Sequence, residues 1–495
     1  MNKKILTKVS SSILVFAMAV VMLVASILPA YGETAGEIKQ LYNVDTNYQQ
    51  YLDNSVIYKL PDTIEDDQEI SVIIVMGEEA IIEAYEKSDK SKTLAEFALS
   101  EEAIAIREQV IAQKNALTAK LDNKSIPYSV GLSYDTLFAG FELLIKAGDF
   151  EKTCDLLEKN QTAIVGEVYK VSETQLVNNK VDYYEETGIF DSSDFAYDGS
   201  GMVVAVLDTG LDYTHSAFDV ANFTSDKLGL TKDQVAALLT KTEAYKRYPG
   251  LTADDLYLND KVPFAFDYSD NDPDVYSIHN NHGTHVSGII VGKDDTITGV
   301  APNAQLVSMK IFSDTYDSAY SSWILAGLED CAILGVDVIN MSLGTACGFS
   351  RETDEAFINT VYDKLRELGV SVVVAASNSY NSSYGSEKNG NLPLTSNPDV
   401  GTVGSPSTYP GSLSVASIKG VKTPYMLNGD KIIYFVEASN SASKEKDFFA
   451  DILKDGQTSM EIEYVVIPGV GRPVDYTGLD MTGKIALVRR GSTTF

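Results

Sequence analysis

Four short apolar runs, each separated from the next by a stretch of helical periodicity, constrain this chain more than any other feature: Met202 to Leu207, Gln305 to Ile311, Val336 to Met341 and Val370 to Ala375. Strands that are apolar on both faces need cover on both faces, and strands joined through helices run parallel. The pattern therefore predicts an α/β, doubly wound parallel sheet. In such sheets reacting groups gather beyond the carboxyl ends of the strands. Val203-Val204-Ala205-Val206-Leu207 ends there in Asp208-Thr209-Gly210.

By itself Asp-Thr-Gly is ambiguous, since it closes many strands with a turn and also occurs in aspartic proteases. The next segment narrows the choice. Asn281-His282-Gly283-Thr284-His285-Val286-Ser287-Gly288-Ile289-Ile290 reads as a polar start followed by the first turns of a buried helix. A general base must reach both its orienting carboxylate and its nucleophile, and glycines at 283 and 288 allow close approach. His282 is the candidate base. A metal site is the competing reading, because His279, His282 and His285 are spaced by three. The polar residues before His282 do not favour a helix there, and no HExxH pattern is present.

Two further strands end in polar residues. Val338-Ile339-Asn340-Met341 runs into Ser342-Leu343-Gly344, and Val372-Val373-Val374 runs into Ala375-Ala376-Ser377-Asn378. Gly299-Val300-Ala301-Pro302-Asn303-Ala304 precedes the strand at Gln305. In this order the segments resemble the subtilisin-like serine proteases, or subtilases. The resemblance implies that Asp208 orients and charge-balances His282, that His282 relays a proton from a serine nucleophile to the leaving amine, and that Asn378 donates to the oxyanion. It also implies that Ser342, Leu343 and Gly344, with Ala375, Ala376 and Ser377, bind the substrate backbone in extended form. Substrates would be proteins or peptides, and no cofactor is required for the chemistry. Ser377 stands where the family has glycine, and its hydroxymethyl group is expected to narrow the primary specificity pocket.

The family order is aspartate, histidine, serine. Gly456-Gln457-Thr458-Ser459-Met460 carries an extra Gln457 relative to the family's Gly-Thr-Ser-Met and leads into a strand-like run, not a long helix. The nucleophile is therefore expected beyond Phe495, and the 495-residue chain is expected to be inactive. A catalytically inactive surface adhesin on the same scaffold is the alternative from another class.

Upstream, Ile70 to Val75 reads as a strand, Thr93 to Leu121 as a helix, Ser125 to Tyr134 and Leu137 to Ile145 as strands, Asp149 to Leu157 as a short helix and Ala163 to Val168 as a last strand. This β-α-β-β-α-β order predicts a ferredoxin-like α+β domain. Its place before the catalytic core resembles the subtilase propeptide, an intramolecular inhibitor. The expected layout is a signal peptide at 1–32, a linker at 33–68, the propeptide at 69–172, an incomplete catalytic domain at 173–418 and, at 419–495, part of a β-rich inserted domain resembling the protease-associated domain. That combination is most similar to the large cell-envelope proteinases of the lactocepin and C5a peptidase type.

Composition sets the compartment and excludes some partners. Lys3, Lys4 and Lys8 precede an apolar run from Ile13 to Leu28 and a small-residue stretch, with cleavage expected after Ala30 or Gly32, so a secreted or extracellular protein is expected, with cell-wall attachment as a variant. A formal net charge of −31 argues against nucleic acid as a partner. Cys154, Cys331 and Cys347 are too few and too scattered for a disulfide framework. Metal ligands are not assignable. The acidic loop Asp267 to Asp274 could hold a structural calcium, although a solvated acidic face explains it as well.

Overall fold

The computed structural model describes residues 64–166, 168–170, 197–277, 280–316, 318–344, 356–377, 403–416, 425–428, 431–434 and 461–488. Among these, the elements before the central sheet are β1 (Glu69–Val75), α1 (Ile81–Lys87), α2 (Leu94–Phe97), α3 (Glu101–Asn123), β2 (Tyr128–Tyr134), β3 (Gly140–Lys146), α4 (Phe150–Cys154), β4 (Thr162–Val165) and β5 (Val168–Lys170). They are followed by β6 (Val203–Asp208), α5 (Lys232–Leu238), α6 (Glu243–Arg247), α7 (Ala253–Leu256), β7 (Phe264–Asp267), α8 (His282–Val291), β8 (Gln305–Lys310), β9 (Ser318–Tyr320), α9 (Ser321–Leu334), β10 (Val338–Met341), α10 (Ala356–Glu367), β11 (Ser371–Ala375) and β12 (Ser412–Val415).

Six strands form one sheet in the order β12-β11-β10-β6-β8-β7, and every neighbouring pair is parallel. All six residues of β6 and of β8 are buried, which is why both read as apolar runs. Helix α9 is buried along its whole length and stops at Gly335, whose φ of 70° is the left-handed conformation that glycine adopts without strain. The Gly327 Cα lies so near the sheet that an added Cβ would sit 3.2 Å from Leu207 Cδ2.

The N-terminal elements form a four-stranded antiparallel sheet in the order β2-β3-β1-β4. Its inner face and α3 enclose a core that includes Val72, Ile74, Val110, Leu117, Leu121, Phe141, Leu143 and Phe150. The helix expected from Thr93 to Leu121 is instead two helices. The first stops at Phe97, with Ala98 as its C-cap, and Ser100 caps the second, its hydroxyl accepting the Ala103 N–H at 3.2 Å. The strand expected through Val168 stops at Val165. Val168 begins β5, which leaves the small sheet and pairs antiparallel with β9.

By contacts, the described residues up to 170 and those of 197–416 form one compact unit. Helix α9 is the hinge pin of the packing between its two sheets. The Glu329 carboxylate accepts N–H groups from the turn between β2 and β3: Thr136 at 2.7 Å and Leu137 at 2.6 Å, with Asp135 and Phe138 at 3.3 and 3.4 Å. Tyr134 Oη donates to the Ser322 carbonyl, and Lys364 bridges to Glu83 and to the Leu137 carbonyl. Asp135 is held by Arg107 and by Lys246 of α6. A second unit contains two separate strand pairs: Tyr425–Asn428 antiparallel to Lys431–Tyr434, and Tyr464–Val466 parallel to Ile485–Leu487.

Candidate active site

Strand β6 carries Asp208 to the carboxyl edge of the sheet, where it is buried. Its Oδ1 accepts the Thr209 N–H at 2.7 Å and lies 2.7 Å from Nδ1 of His282, the first residue of α8. A carboxylate offers no proton, so the imidazole carries its proton on Nδ1 and leaves Nε2 as an acceptor. The hydrogen bond to Asp208 raises the His282 pKa above the ordinary histidine value, against the opposing effect of burial. A quarter of the His282 side chain remains exposed. Asp208 Oδ2 is buried without a hydrogen-bond partner among the described residues.

Close packing of backbone brings the pair together. A Cβ on Gly283 would fall well inside 3.0 Å of the Gly210 carbonyl oxygen and 3.1 Å from Asp208 Cβ, so only glycine lets α8 approach the end of β6. Gly288 has no such role, since its nearest neighbour would be Ile297 Cδ1 at 3.6 Å. Side chains fix the register: Thr209 Oγ1 accepts the Gly283 N–H at 2.9 Å and donates to the Asn280 carbonyl at 3.3 Å. Asn280 Oδ1 accepts the His282 N–H at 2.9 Å, and Thr284 Oγ1 accepts that of Asp212 at 2.8 Å. None of these supporting side chains was singled out from sequence.

The other histidines do different work. His285 follows on α8, and burial, with the neighbouring His282, lowers its pKa. His215 caps a short 3-10 turn, its ring Nδ1 accepting the Ala217 N–H. His279, Asn378, Cys347 and Ser459 lie outside the described residues. Among the described residues there is no group of three or more metal-ligating side chains.

Ser342, Leu343 and Gly344 follow β10, and Ala375, Ala376 and Ser377 follow or end the adjacent β11. A Cβ on Gly344 would lie 2.9 Å from the Ser405 carbonyl oxygen. Ala376 is held on both sides, donating to Val415 and accepting from Gly404. Ser377 has a φ of 102°, a conformation costly for any residue with a Cβ. That is the backbone reason a glycine suits this position. A third edge was missed: β9, three residues without a periodic signal, takes β5 as an antiparallel neighbour with Val168 opposite Tyr320 and Lys170 opposite Ser318.

The acidic loop has a partner inside the protein. Lys310, fully buried at the end of β8, places its Nζ 2.6 Å from Asp267 Oδ2, 3.1 Å from Asp270 Oδ2 and 3.6 Å from Asp314 Oδ2. Burial alone would lower the Lys310 pKa, but these carboxylates outweigh it and the net shift is upward. An ammonium therefore stands among the charges that the sequence offered to calcium.

The sequence matches the subtilase family (peptidase S8) over residues 199–469. It is 30% identical over 409 residues to the PII-type proteinase of Lactococcus lactis subsp. cremoris, covering 78% of this chain and 20% of that protein. It is 29% identical over 305 residues to a C5a peptidase of Streptococcus pyogenes serotype M18, covering 60% of this chain and 24% of that one. The chain thus spans about a fifth of the length of the first of these curated relatives. Among solved structures, the epidermin leader peptide processing serine protease from Staphylococcus aureus matches with a TM-score of 0.40 and 14% identity, over 70% of this chain and 69% of that chain. The family match covers more than half of the 495 residues, and the chain belongs to the subtilase family.

Proposed function

We propose that this chain supplies the acid–base half of an exported serine endopeptidase that hydrolyses peptide bonds in proteins, with a serine outside the described residues as nucleophile. The observation that carries the reading is the 2.7 Å contact between Asp208 Oδ1 and His282 Nδ1, which leaves Nε2 free to accept a proton. His282 takes the serine proton as Oγ attacks the peptide carbonyl, and Asp208 stabilises the imidazolium that forms. The same proton then passes to the leaving amine, and water repeats the cycle to release the acyl group. Asn378 donates to the oxyanion, and the chain after β10 and β11 receives the substrate backbone.

The elements from β1 to β5 act in this reading as an inhibitory prosegment. Support comes from the four N–H groups held by Glu329 and from β5, which occupies the β9 edge as an added strand. Export is supported by the basic and apolar N-terminal run. The test is hydrolysis of a quenched casein substrate by the full-length protein, with serine-directed fluorophosphonate labelling. Hydrolysis and labelling that both vanish in His282→Ala are expected. Hydrolysis that survives in His282→Ala refutes the assignment, as does a full-length protein with neither activity nor label.

A further inference from the structure

The strand pair that delivers the aspartate also places a lysine beside it: Asp208 on β6 stands opposite Lys310 on β8. The lysine stem runs under the turn after the aspartate, its Cδ 3.0 Å from where a Gly210 Cβ would be. Its ammonium is fully buried among three carboxylates, an arrangement stable only while the geometry is held closely. Asp267 ends β7, Asp270 belongs to the turn after it, and the third, Asp314, belongs to the loop between β8 and β9.

Asp314 passes that constraint on. Its Oδ1 accepts the Ser277 hydroxyl at 2.7 Å, Ser277 Oγ accepts the Asn280 N–H at 3.2 Å, and Asn280 Oδ1 accepts the His282 N–H at 2.9 Å. The same loop is tied to Asp270 through the Ser313 hydroxyl and the Asp314 N–H, at 2.6 and 2.8 Å, and Ser313 donates its N–H to the Ser318 carbonyl at the start of β9. One buried cation thus connects the entry to the histidine helix with the edge that holds β5.

We propose that Lys310 is a positioning residue: through Asp314, Ser277 and Asn280 it sets the backbone of His282 so that the imidazole meets Asp208. The inference rests on the proposed role of His282 and is tested apart from it. A parallel tie through Thr209 holds the same segment, so loosening the Lys310 route shifts the imidazole without releasing it.

The test is an NMR titration of the histidine rings in the 495-residue chain, the His282 signal being identified by its loss in His282→Gln. Among the described residues the charged group acting on His282 is Asp208, and His282 in turn bears on its neighbour His285. In Ser277→Ala the cation and its carboxylates stay intact, and the His282 pKa is expected to fall towards the ordinary value by about half a unit, a roughly threefold weaker proton affinity. In Lys310→Met the same fall is expected, whereas loss of a positive charge acting directly would raise it. A Ser277→Ala titration that superimposes on the parent overturns the proposal, and so does a rise in a folded Lys310→Met. Should Lys310→Met fail to fold, Ser277→Ala decides alone. Absence of peptidase activity in the full-length protein would sink the functional reading and leave these titrations unaffected.

Discussion

Alanine at Gly283 and alanine at Gly288 are the same chemical change, two turns apart at most on one helix, with opposite expected outcomes. At 283 the new methyl meets the Gly210 carbonyl about 1 Å closer than the 3.4 Å at which ordinary contact begins. Neither side can yield easily, because Gly210 is itself pressed against the Val275 carbonyl and has a φ of 115°. Overpacking of this kind costs about 1 to 3 kcal/mol. At 288 the methyl finds Ile297 Cδ1 at 3.6 Å, an ordinary contact, and the exchange of glycine for alanine in a helix gains about 0.5 to 1 kcal/mol. The helix-propensity gain is nearly common to both positions, so the difference between the variants isolates the backbone contact. Urea unfolding of the 495-residue chain, followed by tryptophan fluorescence from Trp323 beside the sheet, should place the Gly283→Ala midpoint below the parent and Gly288→Ala at or above it. In the full-length protein, a displacement of about 1 Å at His282 should lower kcat/KM by roughly a hundredfold for Gly283→Ala only. Equal midpoints for the two variants would refute the argument that close approach at Gly283 seats the histidine.

Three further outcomes follow from geometry already described. Ser377→Gly should stabilise the chain by about 1 kcal/mol, the relief of a positive φ less the extra freedom of the unfolded glycine, and in the full-length protein it should raise the kcat/KM preference for phenylalanine over alanine before the cleaved bond; a destabilised variant with unchanged preference would contradict both statements. Glu329→Gln should speed amide exchange at Thr136 and Leu137 by tenfold or more, because a charge-assisted acceptor shared by four N–H groups is replaced by an amide with one acceptor oxygen, and unchanged exchange would show that the turn is held by other contacts. Asp208→Asn should lower the His282 pKa, since the Asp208 hydrogen bond is the main cause of its upward shift. The folded value lies above 6.5, so the contact's stabilisation is complete below that pH and is lost as pH rises through the raised value; a stability-versus-pH curve in Asp208→Asn that keeps this fall would count against the pairing.

What the sequence disclosed and what it hid have separate physical causes. Strands β6, β8, β10 and β11 were legible because a covered parallel sheet writes apolar residues on both faces. The histidine segment was legible because its glycines mark close backbone approach, although only Gly283 has that role. The break over Ala98 to Ser100 was hidden because good helix formers stand on both sides, and the one sign of it is Ser100, whose hydroxyl accepts the Ala103 N–H and caps the second helix. Strand β9 was hidden because three residues cannot show a period. Lys310 was an ordinary lysine at a strand end until Asp267 of the neighbouring strand and the loops bearing Asp270 and Asp314 folded around it. Glu329 and Asp330 carried a signal that was passed over, namely two adjacent carboxylates inside a helix that is apolar on either side of them, since such groups are buried only with donors to satisfy them.

The strand formed by Val168–Lys170 changes meaning once the polypeptide is severed. As long as residues 171–196 remain continuous, β5 meets β9 as part of its own molecule, at an effective concentration that for short tethers is on the order of millimolar, so the edge stays occupied at any dilution. A single cut in that stretch turns the encounter into one between two molecules. Occupancy then depends on how much protein is present, and dilution below the dissociation constant of the cut pieces would empty the β9 edge by mass action alone, with no change in any contact between them.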